Sequence, residues 1–327
     1  MNQQPRVLVC GSINKDSFVL VDHFPEQGHT VHAEPGPKAL GGKGANQAVA
    51  VATAKLPVKF VGTIGLDVRG QDVLAELATY NVDISSVRTT STHPTGVAVI
   101  MSNEAGDNII IVTAGANQVT DPVDFVDAIK TSNLVLGQGE ITPAATEKLA
   151  TLANMHGCRF VLNLAPVPES VSPGLIAAAD PLIVDELEAY QVLQALDEAH
   201  DLSPEDIPAI MHRLLDYAKS VVITVGPKGC AYQLQNEPGW LQPSVEVTDP
   251  VDSTGAGDAF VGTLAAQLAR GKSLAEAVLY GNAAGALAVR SIGAAKSFAP
   301  WDEVSALAEG QQMPSRVPAG GFRYRQA

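Results

Sequence analysis

Residues 252–260 read D-S-T-G-A-G-D-A-F, and a long apolar run follows them. The pattern predicts a glycine loop that leads directly into a helix, with Asp258 in its first turn. The first N–H groups of a helix have no intrahelical partner, and the helix dipole makes this end positive. The loop of Gly255, Ala256 and Gly257 is therefore a candidate anion hole, with Asp258 beside it as a candidate proton acceptor. The alternative from these residues alone is a tight turn in which Asp258 supplies only charge to a helix start.

On both sides of this stretch, short apolar runs alternate with helix patterns. Runs that end in a glycine or polar turn are typical of buried parallel strands, which are apolar along their whole length. The predicted strands lie at 6–13, 58–65, 134–137, 160–163, 182–184 and 221–225, and the predicted helices near 45–54, 67–80, 142–155, 186–196, 204–218 and 274–290. The alternation predicts an α/β fold, a three-layer sandwich with a mostly parallel central sheet flanked by helices.

Two segments do not fit this alternation. Half-exposed strands are predicted within 16–40, and a hairpin with the turn N-E-A-G-D is predicted within 96–113. We infer that the two segments meet in a small second β-sheet, which forms a lid hinged on the main domain. The main domain then comprises 1–15, 41–95 and 114–309, and the polar segment 310–327 is expected to be a flexible C-terminal tail.

The composition narrows the class of protein. The 327 residues are 46% hydrophobic, and 21 Lys and Arg stand against 35 Asp and Glu, a formal net charge of −14. Such a chain is not expected to bind nucleic acid or an anionic membrane surface, because both attract basic faces. No apolar segment is long enough to span a bilayer. The odd, widely spaced set of Cys10, Cys158 and Cys230 argues against a disulfide framework and a zinc site, and it indicates a reducing, cytoplasmic setting.

A second glycine cluster, A-L-G-G-K-G-A-N-Q-A, occupies 39–48 and carries Lys43 and Asn46 at a predicted helix start. It is neither a Walker A loop nor a dinucleotide-binding loop, because Gly44 and Gln47 stand where those motifs require other residues. An amine and a carboxamide in a loop that permits close approach suit a polyhydroxylated ligand. A surface glycine loop is the alternative.

Polar residues also follow several predicted strands. Asn14 and Asp16 lie in G-S-I-N-K-D after the first strand, Glu140 ends G-Q-G-E, and T-V-G-P-K-G at 224–229 ends a later strand. Ligands of open α/β sheets bind outside the carboxyl ends of the strands. Each motif alone also fits an ordinary turn, but together they favour a site for a polyol and a phosphate donor.

These motifs resemble the signatures of the ribokinase-type (PfkB-type) carbohydrate kinases. The likeness covers about residues 5–305, where G-S-I-N-x-D, G-G-K-G-A-N-Q-A, T-A-G-A-N at 113–117, T-V-G-x-x-G and D-x-T-G-A-G-D occur in family order. The resemblance implies ATP-dependent phosphorylation of a sugar, expected to be D-ribose converted to D-ribose 5-phosphate.

The resemblance also implies roles on the sugar side. Asp258 is expected to be the general base that takes the proton from the primary hydroxyl of the sugar. Gly255, Ala256 and Gly257 are expected to stabilise the transferring phosphoryl group. The residues expected to bind the sugar hydroxyls are Asn14, Asp16, Gly42, Lys43, Asn46 and Glu140.

On the nucleotide side, Glu188 matches the acid of the family motif Asn-x-x-Glu, which acts through the water shell of Mg²⁺. Asp185 stands where that motif has asparagine, a departure that puts a carboxylate in place of an amide donor beside the phosphates. The residues expected to line the ATP pocket are Asp185, Glu188, Thr224, Gly226, Lys228, Gly229, Gly257 and Asn282. Those that match the family's K⁺ site are Asp252, Thr254, Ala288, Ser291, Gly293 and Ser297.

Other functions stay open from the sequence. A kinase of the same family that acts on 2-deoxyribose, fructose or a pseudouridine-like nucleoside is one alternative, and a non-catalytic sugar or nucleotide sensor is another. A Rossmann-type dehydrogenase is excluded because the dinucleotide fingerprint is missing. The apolar run V-A-V-I-M at 97–101 indicates an exposed face on the lid, and we expect a homodimer in which two lids cover each other.

Overall fold

The computed structural model describes residues 6–103, 107–312 and 314–317. The strands are β1 (Val7–Cys10), β2 (Asn14–Leu20), β3 (Glu34–Gly41), β4 (Val58–Val61), β5 (Thr63–Gly65), β6 (Arg88–Thr90), β7 (Gly96–Ser102), β8 (Asn108–Thr113), β9 (Leu134–Gln138), β10 (Arg159–Asn163), β11 (Leu182–Asp185), β12 (Ser220–Thr224), β13 (Gly229–Leu234), β14 (Trp240–Pro243) and β15 (Ser315–Arg316). The helices are α1 (Lys43–Thr53), α2 (Val68–Thr79), α3 (Val126–Lys130), α4 (Pro143–Met155), α5 (Pro173–Ala178), α6 (Glu186–Ala195), α7 (Ile207–Leu214), α8 (Ala256–Ala269), α9 (Leu274–Ala288) and α10 (Trp301–Glu309).

The main sheet has the strand order β15-β14-β13-β12-β11-β10-β9-β1-β4. The six strands from β12 to β4 run parallel, and β13, β14 and β15 continue the sheet antiparallel at the other edge. Parallel neighbours need crossover connections, which the helices between these strands supply. The predicted mostly parallel α/β sheet is confirmed.

Both faces of the main sheet are buried, which explains the uninterrupted apolar strands. Successive side chains of a strand point to opposite faces. Val7 and Val9 pack in a core with α1, α2, α8 and α9, whereas Leu8 and Cys10 pack in a second core with α3 to α7. Helix α10 packs against α8 and α9 on the first side. These two helical layers around one sheet confirm the predicted three-layer sandwich. In the described ranges, no helix combines the length and the apolarity that a membrane crossing requires.

A second sheet has the order β3-β2-β7-β8 and consists of the two segments that were predicted to meet. Its exposed apolar face differs from the prediction. Ala98 and Ile100 of the run 97–101 are buried and its other residues are half-buried. Apart from Leu20 of β2, the exposed large apolar side chains of this sheet belong to the outer strand β8, where Ile110 is 60% exposed. Strand β7 lies inside the sheet between β2 and β8, and its side chains alternate between buried and half-buried along most of its length.

The segment 310–327 was expected to be a flexible tail, and its described part corrects that expectation. Strand β15 pairs with β14, with Arg316 opposite Trp240, and the Arg316 guanidinium lies 5.7 Å from the centroid of the Trp240 ring. Upstream of this pair, the Gln311 side chain donates to Leu279 O at 2.6 Å. These contacts attach the segment to the sheet edge and to α9. Residues 313 and 318–327 lie outside the described residues.

Candidate active site

The predicted site residues converge at the carboxyl ends of the parallel strands. A polar cavity of about 230 Å³ opens there, between the ends of β10, β11 and β12 and the starts of α1, α6 and α8. Its lining includes Lys43, Asp185, Glu188, Gly257 and Asp258. The site therefore occupies the edge of the sheet where open α/β folds bind ligands.

Asp258 lies in the first turn of α8 and is 7% exposed. The Nδ2 of Asn46 donates to its Oδ2 at 2.9 Å, and the Nε2 of Gln47 donates to its Oδ1 at 3.0 Å. Burial raises the pKa of Asp258, while the charge of Lys43 and the two amide donors act in the opposite direction. A buried carboxylate with a raised pKa, held in one orientation, has the properties of a general base.

Close backbone approach places the two amides of α1 beside Asp258. Helix α1 begins directly after Gly42, whose φ of 87° lies in the left-handed region that favours glycine. A Cβ on Gly44 would lie 2.7 Å from Ser12 N, so only glycine lets α1 begin this close to the end of β1. On the other side, a Cβ on Gly262 of α8 would lie 2.5 Å from Gln47 O. Helix α1 is thereby held between the first strand and α8.

A chain of buried amides supports Gln47 from behind. The Nε2 of Gln138 donates to Gln47 Oε1 at 2.8 Å, and Gln47 Nε2 also donates to Asn163 Oδ1 at 2.9 Å. Asn163 Nδ2 donates in turn to Ile183 O at 3.1 Å. Sequence reasoning missed Gln47, Gln138 and Asn163 as positioning residues. Gln138 and Asn163 each end a strand, and a polar residue at a strand end was the only sequence signal for them. Ordinary turn residues show the same signal, so it does not distinguish a positioning residue from a turn.

The predicted anion hole has fewer free donors than the sequence suggested. Gly255 has a φ of 77°, and a Cβ on it would lie 2.6 Å from Ala294 Cα, so this position requires glycine. The Ala256 N–H already donates to Ser253 O at 3.2 Å. The N–H groups of Gly255 and Gly257 have no hydrogen-bond partner among the described residues. Two of the three predicted donors, together with the start of α8, are therefore free for an anion.

The residues predicted to bind the sugar are held by side chains that the sequence did not identify. Asn14 is 3% exposed, and its Oδ1 accepts from the Nδ2 of Asn117 at 2.8 Å. Asn117 also accepts from the backbone N–H of Ile13 at 3.0 Å. A Cβ on Gly96 would lie 2.2 Å from Asn14 Oδ1, so glycine is required where β7 passes this pair. The T-A-G-A-N segment thus positions Asn14.

Asp16 lies on β2, and its carboxylate covers the backbone of Gly41, where a Cβ would lie 2.1 Å from both oxygens. Burial, together with the charges of Glu140 and Asp258, raises the pKa of Asp16 to about 7. Its Oδ1 and the Oδ1 of Asn46 are both buried without a hydrogen-bond partner. Two enclosed acceptors without donors are a feature that a hydroxyl-bearing ligand would satisfy.

Glu140 joins the first strand to α1. Its Oε2 accepts from the Ser12 hydroxyl at 2.5 Å and from the Lys43 backbone N–H at 2.8 Å. Burial lowers the pKa of the Lys43 amine, but the charges of Asp258, Glu140, Glu188 and Asp185 outweigh burial and raise its pKa overall. Lys43 is therefore a cation at neutral pH in the middle of an acidic cluster.

An apolar cavity of about 520 Å³ adjoins the polar one, and Thr224, Ser253 and Gly257 line both. Space is open beside Gly257, because a Cβ there would have no neighbour within 4 Å. The predicted nucleotide residues Gly226, Gly229 and Asn282 line the apolar cavity, and Lys228 lies in the turn between the two glycines. A ligand with a flat apolar end and a polar end fits the two joined cavities.

Asp185 caps α6. Its Oδ1 accepts from the Glu188 N–H at 2.7 Å, and the Glu188 Oε2 accepts from the Asp185 N–H at 2.9 Å, which makes a complete capping box. Burial and the charge of Asp185 raise the pKa of Glu188, although the backbone hydrogen bond from Asp185 opposes them. The residue that departs from the family motif therefore has a structural role that asparagine also performs at this position.

The predicted K⁺ residues come together next to the glycine loop. Asp252 accepts from the Thr254 N–H at 2.9 Å and from the Gly293 N–H at 2.8 Å, which joins the two loops. These hydrogen bonds lower the pKa of Asp252 against the effect of its burial. Ser297 is buried and donates to Ala294 O at 2.8 Å. Ala288 and Ser291 lie at the end of α9 and directly beyond it, where the Ser291 N–H donates to Ala288 O at 3.4 Å.

The model of the pfkB family carbohydrate kinases matches residues 4–302. The chain belongs to this family. The particular relatives to which it is similar are ribokinases: that of Staphylococcus aureus is 32% identical over 92% of this chain and 98% of its own length, and that of Schizosaccharomyces pombe is 34% identical over 89% and 94%. The solved structure of Arabidopsis thaliana ribokinase complexed with ribose and ATP has a TM-score of 0.85 at 29% identity, covering 94% of this chain and 99% of that one.

The cap on α6 yields a prediction for Asp185. Asparagine and aspartate cap helices about equally well, so Asp185→Asn should change the free energy of unfolding by less than about 0.5 kcal/mol. Asp185→Ala should lower it by about 0.5–2 kcal/mol, because Glu188 N–H loses its acceptor. Urea denaturation measures both values. Equal losses for the two variants would contradict the capping role.

Proposed function

We propose that this chain is a ribokinase, which transfers the γ-phosphoryl group of ATP to the primary hydroxyl of D-ribose and releases D-ribose 5-phosphate and ADP. The observation that supports this most directly is the position of Asp258. Its buried carboxylate lies next to Gly257, which lines both the polar and the apolar cavity. The similarity to ribokinases over nearly the whole chain supports ribose as the sugar and ATP as the donor.

Asp258 acts as the general base. Its carboxylate takes the proton of the attacking hydroxyl, the hydroxyl oxygen bonds to the γ-phosphorus, and the bond from that phosphorus to the bridging oxygen of ADP breaks. The amide donors Asn46 and Gln47 hold the carboxylate in place and favour its ionised form. The free N–H groups of Gly255 and Gly257 stabilise the charge on the transferring group.

The sugar binds in the polar region between α1 and the second sheet. Asn14, Asp16, Lys43 and Glu140 offer carboxylate, amide and ammonium groups to its hydroxyls. The buried Oδ1 atoms of Asp16 and Asn46 have no donor among the described residues, which leaves their hydrogen-bonding capacity unused. Strand β2 begins at Asn14, and β3 ends at Gly41, two residues before Lys43. The second sheet thus borders the sugar region, and in this proposal it acts as a lid that closes over the sugar. Closure excludes water, which limits hydrolysis of ATP.

The residues present also fit two cations, which remain proposals. Mg²⁺ keeps several waters and binds to phosphates and one or two carboxylates, and Glu188 with Asp185 supplies carboxylates at the wall of the polar cavity. Mg²⁺ would neutralise charge on the phosphates. The Asp252 and Gly293 loops supply only oxygen ligands, which suit a hard cation such as K⁺. Ser297 would hold K⁺ with Asp252 and carbonyl groups of these loops, directly beside Gly255.

We also propose that the chain forms a homodimer through the lid and that it works in the cytoplasm. The exposed isoleucines of β8 form a contiguous apolar strip on an edge strand, a surface that a second copy would cover. All three cysteines are buried and unpaired, which supports a reducing compartment.

The role of Asp258 is tested by Asp258→Asn. Loss of a general base lowers the rate by about 10²–10⁴-fold, so kcat for ADP release with ribose should fall by that factor. The KM for ribose should change little, because asparagine keeps the size of the side chain. Asp72→Asn, on the exposed face of α2, is the matched control and should keep full activity. The assays include a panel of sugars with and without K⁺.

Three outcomes of that assay have separate meanings. Ribose preference, K⁺ activation and an inactive Asp258→Asn enzyme would support the whole proposal. If the wild-type enzyme prefers another sugar, ribose is refuted as the substrate, but the proposed phosphoryl transfer still stands. An Asp258→Asn enzyme with wild-type kcat would refute the general base.

Gln47 yields a prediction about pH. Asp258 must be ionised to act, so kcat/KM falls as the pH decreases through the pKa of this group in the folded enzyme. Gln47→Ala removes a donor that favours the ionised carboxylate, so the pKa of Asp258 rises and the acidic limb of the pH profile moves to higher pH. Gln118→Ala, an exposed control, should leave the limb in place. An unmoved limb in a folded Gln47→Ala enzyme would show that Gln47 does not tune the base.

The dimer is tested by light scattering at micromolar concentration. The wild-type chain of 34.0 kDa should have twice that mass in solution, and Ile110→Asp should reduce the mass to one chain by placing a charge in the apolar strip. Val123→Asp, at an exposed valine outside the lid, is the control and should stay dimeric. A wild-type mass of one chain would remove the dimer proposal.

A further inference from the structure

One amide lies in the wall of the apolar cavity. Asn282 is 6% exposed and shares a face of α9 with Gly285, Ala286 and Val289, which line the same cavity. Its Nδ2 donates to Pro243 O at 2.8 Å and to Gln311 Oε1 at 2.7 Å. An amide nitrogen carries two N–H donors, so both donors of Asn282 are engaged within the protein.

The orientation of this amide follows from backbone carbonyls. Only a nitrogen can face Pro243 O, because a carbonyl cannot donate, and this contact determines which end of Asn282 is the amide nitrogen. Gln311 is oriented in the same way, because its Nε2 donates to Leu279 O at 2.6 Å and its oxygen must then face Asn282. Gln242 donates to the same Gln311 oxygen at 3.2 Å.

This arrangement leaves one polar atom of Asn282 for a ligand. No described residue donates a hydrogen bond to its Oδ1. Unlike the Oε1 of Gln242, this oxygen is not fully buried. Asn282 therefore offers a hydrogen-bond acceptor to the cavity that it lines. The amide nitrogen can replace this oxygen only if the contacts to Pro243 and Gln311 break. Around it, the lining is mostly apolar, with Val245, Val247 and Phe260.

We propose that Gln311 locks the Asn282 amide so that its Oδ1 accepts a hydrogen bond from the exocyclic 6-amino group of adenine and thereby selects ATP among purine nucleotides. The inference rests on the proposed function, because it assumes that the nucleotide base enters the apolar cavity. Asn282 was predicted to line the ATP pocket, and the new elements are the direction of its amide and the control of that direction by Gln311. Gln311 acts through Asn282 and is a positioning residue.

The selection works through an unfavourable contact as well as a favourable one. A purine with a 6-oxo group presents an acceptor where adenine presents a donor, so two oxygens would face each other in a low-dielectric cavity. Rotation of the Asn282 amide would relieve this contact, but it would leave Pro243 O and Gln311 Oε1 without their donor. Since one unsatisfied buried group costs about 1–3 kcal/mol, the preference for ATP over ITP should be roughly tenfold to a hundredfold.

The experiment compares kcat/KM for ATP and for ITP, which carries a 6-oxo group in place of the 6-amino group, in three forms of the enzyme. The wild-type enzyme should prefer ATP by at least about tenfold. Gln311→Ala removes one of the two acceptors that hold the Asn282 nitrogen and leaves Pro243 O as the other, so the ATP to ITP ratio should fall below the wild-type value while the KM for ribose stays constant. Gln312→Ala is the matched control, because this exposed neighbour takes part in the network only through its backbone oxygen.

Binding measurements separate this inference from the proposed function. Calorimetry measures the affinities for ADP and IDP, and their ratio reports the preference for the 6-amino group without any phosphate transfer. Equal affinities in an active kinase would overturn the inference alone, and ADP preference in a chain without sugar kinase activity would overturn the proposed function alone. A ratio in Gln311→Ala equal to that of Gln312→Ala would also overturn the inference. If Gln311→Ala does not fold, Asn282→Leu provides the test: it should bind ADP and IDP alike, and a kept ADP preference would refute the role of Oδ1.

Discussion

The burial of the Asp258 carboxylate is the constraint on which the rest of the site depends. A buried carboxylate without donors is strongly disfavoured, so amide groups must be brought to it. The donors come from Asn46 and Gln47, and Asn46 lies 212 residues earlier in the chain. The starts of α1 and α8 must therefore meet, and glycine at 44 and 262 permits the close approach. The three-layer architecture makes this possible because both helices pack on the same face of one sheet.

The electrostatic balance around Lys43 connects the two halves of the site. Asp258, Glu140, Glu188 and Asp185 all act on this one amine, so the chain concentrates negative charge where it is proposed to bind an anionic nucleotide. Lys43, the free N–H groups of the glycine loop and the positive end of α8 offset that charge locally. An acidic protein can therefore bind a polyanion, because local fields at a few ångströms outweigh the net charge of a screened surface.

The sequence was most informative where a local rule acts. Buried parallel strands are apolar throughout, and glycine loops before helices have a recognisable pattern, so the sheet, its helices and Asp258 were predictable. The capping box of Asp185 and Glu188 is equally local, but Asp185 was identified from the sequence only as a departure from the family motif, and its capping role was not predicted. The polar partners Gln138, Asn163 and Asn117 were not predictable as such. Their importance depends on contacts across the sheet, and no periodicity in the chain indicates which strand-end amide faces which loop.

The sequence by itself determined the α/β class, the two glycine loops and the acid at the start of α8, because these depend on residues that are neighbours in the chain. Only the tertiary structure decided the amide chain behind Asp258, the exposed side of the lid and the attachment of the segment after α10. It also decided that Gln311 engages Asn282. These features depend on hydrogen bonds and burial between residues far apart in sequence, and such contacts exist only once the layers have packed together.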